Sequence, residues 1–494
     1  MKKTFLLLGV LLTLSVASMA QAYKIGFSSP SITANDKYYL GQHFRDKYII
    51  VDSAVAEAKT LTFQGKQKMN RGIYALLNAK KEQQFDFIVD DSQKFTISFD
   101  EKHSAPSMKA TGSKNCQMMF DYMAKLDYGN TKAKEIQELA KTNKEQSDAQ
   151  MKGLQEEMNT FLDAFRSSSA NTLFGQIMSN TERVKVPEAI PEGSSETNLQ
   201  NWQAIYYRTH YWDNVNLKDH SLIYTPQLFE KMNLYFFGVL YYQDADTITK
   251  YAYNVLDKVV DDSTMLRYFL DFIVPKYEHA TKNIGWDQVF VNLTEHYYLS
   301  GKCPWSSEAD RYSRYNTVEY LKPSLIGHFG TELLMADSNQ SNNPDDWISS
   351  HYFPERYVIL WFWDPDCSHC KTQSEELKQL YNQMTKEGNR RFEVYAIGYE
   401  ADVNKWKRTF RERNYPFVNV GGSNVNVDYQ AAYNVHSAPT MIILDCDREI
   451  ILNKSIQSTS IIPFLDQYEK QHPEKATKVT KWMRPSKYYQ NKQH

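Results

Sequence analysis

The sequence predicts a multidomain protein with an N-terminal all-β domain, a central all-α domain and a C-terminal α/β domain. Three observations carry this reading. Short apolar runs broken by turn residues recur up to about residue 112, apolar spacing becomes helical from about 113, and strand-like and helix-like segments alternate after about 326. A chain of 494 residues also exceeds what one hydrophobic core organises.

Composition limits the class. Hydrophobic residues make up 42% and charged residues 23%, which is ordinary globular composition and excludes disorder throughout. The 34 tyrosines point to an aromatic-rich core, with a sugar- or peptide-binding face as the lesser alternative. Lys2 and Lys3 precede an apolar run from Phe5 to Val16 and then Ala20-Gln21-Ala22, the layout of a cleaved export signal over residues 1–22. No later segment approaches the length of a membrane span, and no Cys follows the apolar run, so a soluble, exported protein with a periplasmic location is expected. Loss of Lys2 and Lys3 leaves 55 basic against 59 acidic residues, a net charge near −4, and offers no basic field for nucleic acid.

The β domain is expected over 23–112. Tyr48-Ile49-Ile50-Val51, Leu61-Thr62-Phe63, Phe85 to Val89 and Phe95 to Phe99 alternate or run apolar between turn groups such as Asn35-Asp36, Gly65, Gly72 and Asp90-Asp91-Ser92. Such spacing suggests a small antiparallel sandwich or barrel. The helical domain is expected over 113–325. Its first part, Lys132 to Arg166, reads as a long helix with Met151, Leu154, Met158, Phe161 and Phe165 as a packed stripe. Pro187 to Ser195 is a loop, beyond which Leu266, Phe269, Phe272 and Ile273, then Trp286, Val289, Phe290, Leu293 and Tyr297, repeat at helical spacing.

The α/β domain is expected over 326–474. Tyr357 to Trp363 and Phe392 to Ile397 are continuous apolar runs, as in strands buried on both faces. Between them, Cys370, Leu377, Leu380, Tyr381 and Met384 share one helix face; Val403, Trp406 and Phe410 mark a second helix. Phe417 to Val420, Thr440 to Leu444 and Glu449 to Leu452 follow as strands, and Ile461 to Tyr468 as a closing helix. The basic tail, 475–494, reads as solvated.

Five cysteines do not make a disulfide scaffold, but Cys367 and Cys370 form a Cys-x-x-Cys pair at a strand-to-helix junction. The free N–H groups and dipole of the helix start favour a thiolate at Cys367. Cys370, one turn inside, is placed to resolve a mixed disulfide. His369, when protonated, favours the Cys367 thiolate and Asp366 opposes it. Pro439 before the third buried strand, in Ser437-Ala438-Pro439-Thr440, fits a cis X–Pro bond beside the pair, leaving the Ala438 backbone open to an extended substrate.

These residues resemble the TlpA/ResA-like thioredoxin family. The motif runs Tyr357-Val358-Ile359-Leu360-Trp361-Phe362-Trp363-Asp364-Pro365-Asp366-Cys367-Ser368-His369-Cys370-Lys371, with Ala438-Pro439-Thr440 later. The resemblance implies a thioredoxin fold and a periplasmic thiol–disulfide oxidoreductase, with Cys367 as nucleophile, Cys370 as resolving thiol and Ala438, Pro439 and Thr440 as the substrate-binding cis-Pro segment. Multidomain envelope proteins of Gram-negative bacteria show a similar domain order. Three departures from the pattern bear on the potential. Trp361 stands where a buried acid is common, Asp366 where Trp usually precedes the first Cys, and Glu375 where a helix-kinking Pro is frequent. Asp364 and Glu400 are candidate substitute proton acceptors, or simply turn residues.

The implied partners are protein dithiol or disulfide clients and an upstream redox partner; no cofactor, metal or nucleic acid is expected. A copper-type centre of the two thiols with His436 is the metal alternative. Disulfide isomerase and a non-catalytic binding module with a structural disulfide stay open as alternative functions. Cys116 and Cys303 would pair only if their Cα atoms came within ~7 Å. Cys446 falls in a hairpin turn, where exposure is expected.

Overall fold

The structure, a computed structural model, describes residues 21–279, 283–399, 402–478 and 480. Residues 1–20, Glu400 and residues 481–494 lie outside these, so the export-signal reading, the Glu400 reading and most of the basic-tail reading fall outside the described residues. The chain divides into two compact units, Met1–Val239 and Leu240–His494.

The first unit begins with eight strands: β1 (Tyr23–Ser28), β2 (Lys37–Phe44), β3 (Lys47–Val55), β4 (Thr60–Gly65), β5 (Gly72–Leu77), β6 (Gln83–Val89), β7 (Lys94–Ser98) and β8 (Lys109–Thr111). They form two four-stranded sheets, ordered β4-β1-β7-β8 and β3-β2-β5-β6. Period-2 alternation turns Ile25, Phe27, Phe63 and Ile97 of one sheet, and Leu40, Tyr74, Phe85 and Phe87 of the other, into a shared core. The expected all-β domain is therefore present, but it is not wholly antiparallel: β1 runs parallel to β7.

Helices α1 (Lys114–Leu139), α2 (Lys144–Ser169), α3 (Leu173–Ser179), α4 (Leu199–His210) and α5 (Pro226–Leu234) complete the unit. The long helix expected over Lys132 to Arg166 is broken, because the Asn143 side chain accepts from Gln146 N–H and starts α2 afresh. The Met151–Phe165 stripe is half-buried rather than packed in a core. It lies on α1, with Phe165 4.9 Å from Tyr122 and Met158 against the bare Cα of Gly129.

In the second unit, α6 (Ala245–Leu256), α7 (Ser263–Glu278), α8 (Trp286–Leu293) and α9 (Glu308–Leu321) precede a seven-stranded mixed sheet. Its strands are β9 (Leu334–Asp337), β10 (Ile348–Ser349), β11 (Tyr357–Trp363), β12 (Phe392–Gly398), β13 (Val418–Val425), β14 (Thr440–Leu444) and β15 (Ile450–Leu452). The order is β10-β9-β13-β12-β11-β14-β15, with β11, β12 and β13 parallel and the rest antiparallel. Alternate residues of β11 enter opposite cores. Tyr357, Ile359, Trp361 and Trp363 meet Leu377 and Leu465, while Val358, Leu360 and Phe362 meet Phe353, Ile397 and Tyr433. This double burial is why β11 and β12 read as unbroken apolar runs.

The covering helices are α10 (Ser368–Lys386), α11 (Val403–Glu412), α12 (Tyr429–Ala432), α13 (Ile461–Gln471) and α14 (Pro473–Ala476). Trp406 of α11 is 1% exposed and sits over the end of β12. A Cβ on Gly398 would lie 2.3 Å from its Cδ1. Gly398→Ala is therefore expected to destabilise the domain by ~1–3 kcal/mol, read as a lower urea midpoint at unchanged m-value; an unchanged midpoint would contradict this packing.

The solvated-tail reading fails at its start. Lys475 is largely buried, and its ammonium binds Asp445 and Asp447 (both 2.7 Å) and Glu449 (2.8 Å), while Lys478 binds Asp447 at 2.6 Å. The Lys475 carbonyl lies 3.9 Å from Cys446 Sγ, and Cys446 is buried rather than exposed as its hairpin position suggested. Also within this unit, Asn453 Nδ2 donates to Asp287 Oδ2 (2.6 Å) and to the Ser324 carbonyl (3.0 Å). These buried bonds fasten the α8–α9 segment to the sheet and set Tyr320 of α9 on His436, with rings stacked at 5.2 Å.

Candidate functional site

The carboxyl end of β11 delivers the chain through Asp364-Pro365-Asp366 to the start of α10. Cys367 is the residue before the first helical turn (φ −75°, ψ 117°), and its sulfur accepts from Cys370 N–H at 3.2 Å. A helix start has N–H groups without intrahelical partners, and here one of them is spent on Cys367 Sγ. Cys370, one turn in, is fully buried and Cys367 half-exposed; the two thiols are unbridged. The pair is thus asymmetric, one sulfur open to an incoming disulfide and one beneath it.

Burial, and then the hydrogen bond with Cys367, push the Cys370 thiol up to about 12, while the Asp364 backbone N–H, donating to its sulfur at 3.5 Å, pulls the other way. At neutral pH this thiol stays protonated. Iodoacetamide is therefore expected to modify one thiol of the pair at pH 8, Cys367, with Cys370 following only as pH climbs toward 12; equal labelling of both at pH 8 would contradict the asymmetry. Cys116 and Cys303, buried and also raised to about 12, do not confuse the count.

The second wall comes from the loop before β14. The Ala438–Pro439 peptide bond is cis. Cys367 Sγ lies 3.7 Å from the Ala438 carbonyl oxygen, toward which its S–H points. Thr440 starts β14 opposite Phe362, and its hydroxyl donates to the Ser437 carbonyl at 2.6 Å. Cys367, Cys370, Ala438 and Pro439 are thereby brought together, although the two segments are about 70 residues apart in sequence.

His369 is exposed on the first turn of α10. Asp366 is exposed as well, but its carboxylate is ion-paired with the Lys405 ammonium of α11. Sequence spacing did not show this neighbouring cation, which lies 39 residues further along the chain. Asp364 acts as a turn residue, its Oδ1 accepting from Asp366 N–H at 2.6 Å. At the position where a buried acid is common, Trp361 donates from Nε1 to Ser374 Oγ at 2.9 Å. Glu375 meets Arg413 and Lys378 at 3.6 and 3.8 Å. Ser374 was missed in the sequence, although its place one turn beyond Cys370 could have drawn notice; Lys405 and Tyr320 carried no local signal.

His436, the third ligand in the copper alternative, has its ring stacked on Tyr320 and its Nδ1 3.4 Å from the Tyr320 hydroxyl. Elsewhere, Asp445, Cys446 and Asp447 bring donor atoms within 4.8 Å of one another. A cation there would compete with the ammonium groups of Lys475 and Lys478.

Residues 355–450 match the family model described as thioredoxin-like. The C-terminal domain is thioredoxin-like. Ahead of this thioredoxin-like domain, residues 23–119 and 128–322 match two domains of unknown function, DUF4369 and DUF5106. Among solved structures, the chain is similar to a thioredoxin-like protein from Bacteroides caccae at 19% identity, covering 58% of this chain and 99% of that one with a TM-score of 0.44. It is also similar to a domain of a possible thiol-disulfide isomerase from Cytophaga hutchinsonii (27% identity, 31% and 99% covered, TM-score 0.27). A third likeness is to the thioredoxin domain of a thiol-disulfide oxidoreductase from Bacteroides vulgatus (18%, 29% and 96% covered, TM-score 0.25). No curated relative matches the chain.

Proposed function

We propose that the protein is an exported thiol–disulfide oxidoreductase that exchanges disulfides with protein clients in the periplasm. The observation that carries this is the unequal pair at the start of α10: half-exposed Cys367 receiving the Cys370 N–H, and buried Cys370 directly behind it. In the reducing direction, the Cys367 thiolate attacks one sulfur of a client disulfide, forming a mixed disulfide and releasing the other client sulfur as a thiolate. Cys370, losing its proton, then attacks Cys367 Sγ and frees the second client thiol. Two electrons pass from the pair to the client, and the reverse sequence oxidises a client dithiol at the expense of the Cys367–Cys370 disulfide. The Ala438 carbonyl beside Cys367 is the backbone group against which an extended client segment pairs.

Export rests on the Lys2-Lys3, Phe5–Val16 and Ala20-Gln21-Ala22 pattern; among the described residues, no helix is long and apolar enough to cross a membrane. The Lys405 clamp on Asp366, together with His369, supports a couple less reducing than cytosolic thioredoxin. The test is a trap. With Cys370→Ser the second step is lost, so specific envelope proteins are expected to accumulate on Cys367 as mixed disulfides released by dithiothreitol. An empty trap would favour a binding module with an inert pair.

A further inference from the structure

Helix α11 presents a strongly basic surface beside the reactive thiol. Between Val403 and Arg413 stand five cations, Lys405, Lys407, Arg408, Arg411 and Arg413, and a single acid, Glu412, in a chain whose net charge is −2. The apolar face of α11 is used inward, where Trp406 is buried and Phe410 packs on it at 5.1 Å. Two of the cations are committed, Lys405 to Asp366 and Arg413 to Glu375. Lys407 and Arg408 have no acidic partner among the described residues, and Arg408 and Arg411 are exposed.

The pattern works against the helix. Lys405 and Arg408, Lys407 and Arg411, and Arg408 and Arg411 are like charges three or four residues apart, a spacing that brings side chains together and destabilises. The helix dipole favours Arg411 in the last turn but gives no support to Lys405 and Lys407 in the first half. A solvated face would mix signs; this one concentrates one sign, and the Lys405–Asp366 pair puts it next to Cys367.

We infer that the outer face of α11 docks an acidic polypeptide segment that flanks the client's reactive cysteine. The inference rests on the redox reading and adds the client's chemistry to it. Opposite charge raises the encounter rate and fixes orientation, and its effect fades with ionic strength.

The test compares two synthetic peptide disulfides of equal length, one with Glu and Asp around the cysteine and one with Ser and Gln, and uses neutral bis(2-hydroxyethyl) disulfide as a control. The reduced full-length protein is expected to react with the acidic peptide about tenfold faster than with the neutral one at low salt. That ratio falls toward one in 0.5 M salt and in Arg408→Glu/Arg411→Glu, with Arg408→Gln/Arg411→Gln between. Equal rates for the two peptides, or a ratio untouched by these variants, would overturn the docking surface while reaction with the neutral control upholds the redox reading. Failure of the control disulfide to react overturns both.

Discussion

Cys367→Ser is expected to abolish disulfide exchange, lowering turnover of a model disulfide at least ~10³-fold. A serine hydroxyl at this position can still accept the Cys370 N–H, so the start of α10 keeps its geometry while the half-exposed thiol of the pair is gone. Cys370, buried and held protonated, does not replace it. The variant should therefore fold with a melting temperature close to that of the parent and fail in catalysis. Reduction of insulin disulfides with dithiothreitol as electron donor reads the loss directly; residual activity within tenfold of the parent would move the nucleophile elsewhere.

Arg448→Met is expected to destabilise the thioredoxin-like domain by ~3–5 kcal/mol at pH 7. Arg448 is entirely buried at the turn after Asp445-Cys446-Asp447. Its guanidinium donates to the carbonyls of His351 (2.9 Å), Phe353 (2.8 Å) and Asp445 (3.0 Å), so one side chain ties the segment before β11 to the β14–β15 turn. Methionine fills similar volume but leaves those carbonyls without a donor. The deficit should narrow in acid. Burial, then the neighbouring Arg448 charge, lower His351 to about 4. A histidine held neutral in the fold but free to protonate near pH 6.5 when unfolded contributes stability that is whole above 6.5 and declines as pH falls toward 4. Removing Arg448 lessens that decline. Urea midpoints of parent and variant at pH 7 and pH 5 measure both effects; a deficit under 1 kcal/mol at pH 7 would mean the carbonyls find other partners.

What was legible in the sequence follows from which interactions are local. Tyr357 to Trp363 was read as a strand and is one, because burial on both faces makes every residue apolar. The Cys367–Cys370 spacing spoke for itself, since one helical turn brings the two together. Strands β9 and β10 were not read: four and two residues are too few to show a period, and they exist only by pairing at the sheet edge. The break between α1 and α2 was missed because Asn143, an effective cap, sat inside an otherwise uniform Lys, Glu and Gln pattern. Lys405 and Asp366 are 39 residues apart and meet only once α11 lies beside the β11–α10 junction. The exposure expected of Cys446 failed for a similar reason, since Lys475 and its neighbours return to cover the turn.

The most direct test is a redox titration of the full-length protein in dithiothreitol and glutathione buffers, with alkylation and mass spectrometry locating the thiols. One reversible two-electron couple confined to Cys367 and Cys370 is expected, with Cys116, Cys303 and Cys446 unchanged and a potential above about −270 mV. A pair that does not interconvert between dithiol and disulfide across the titration would contradict it.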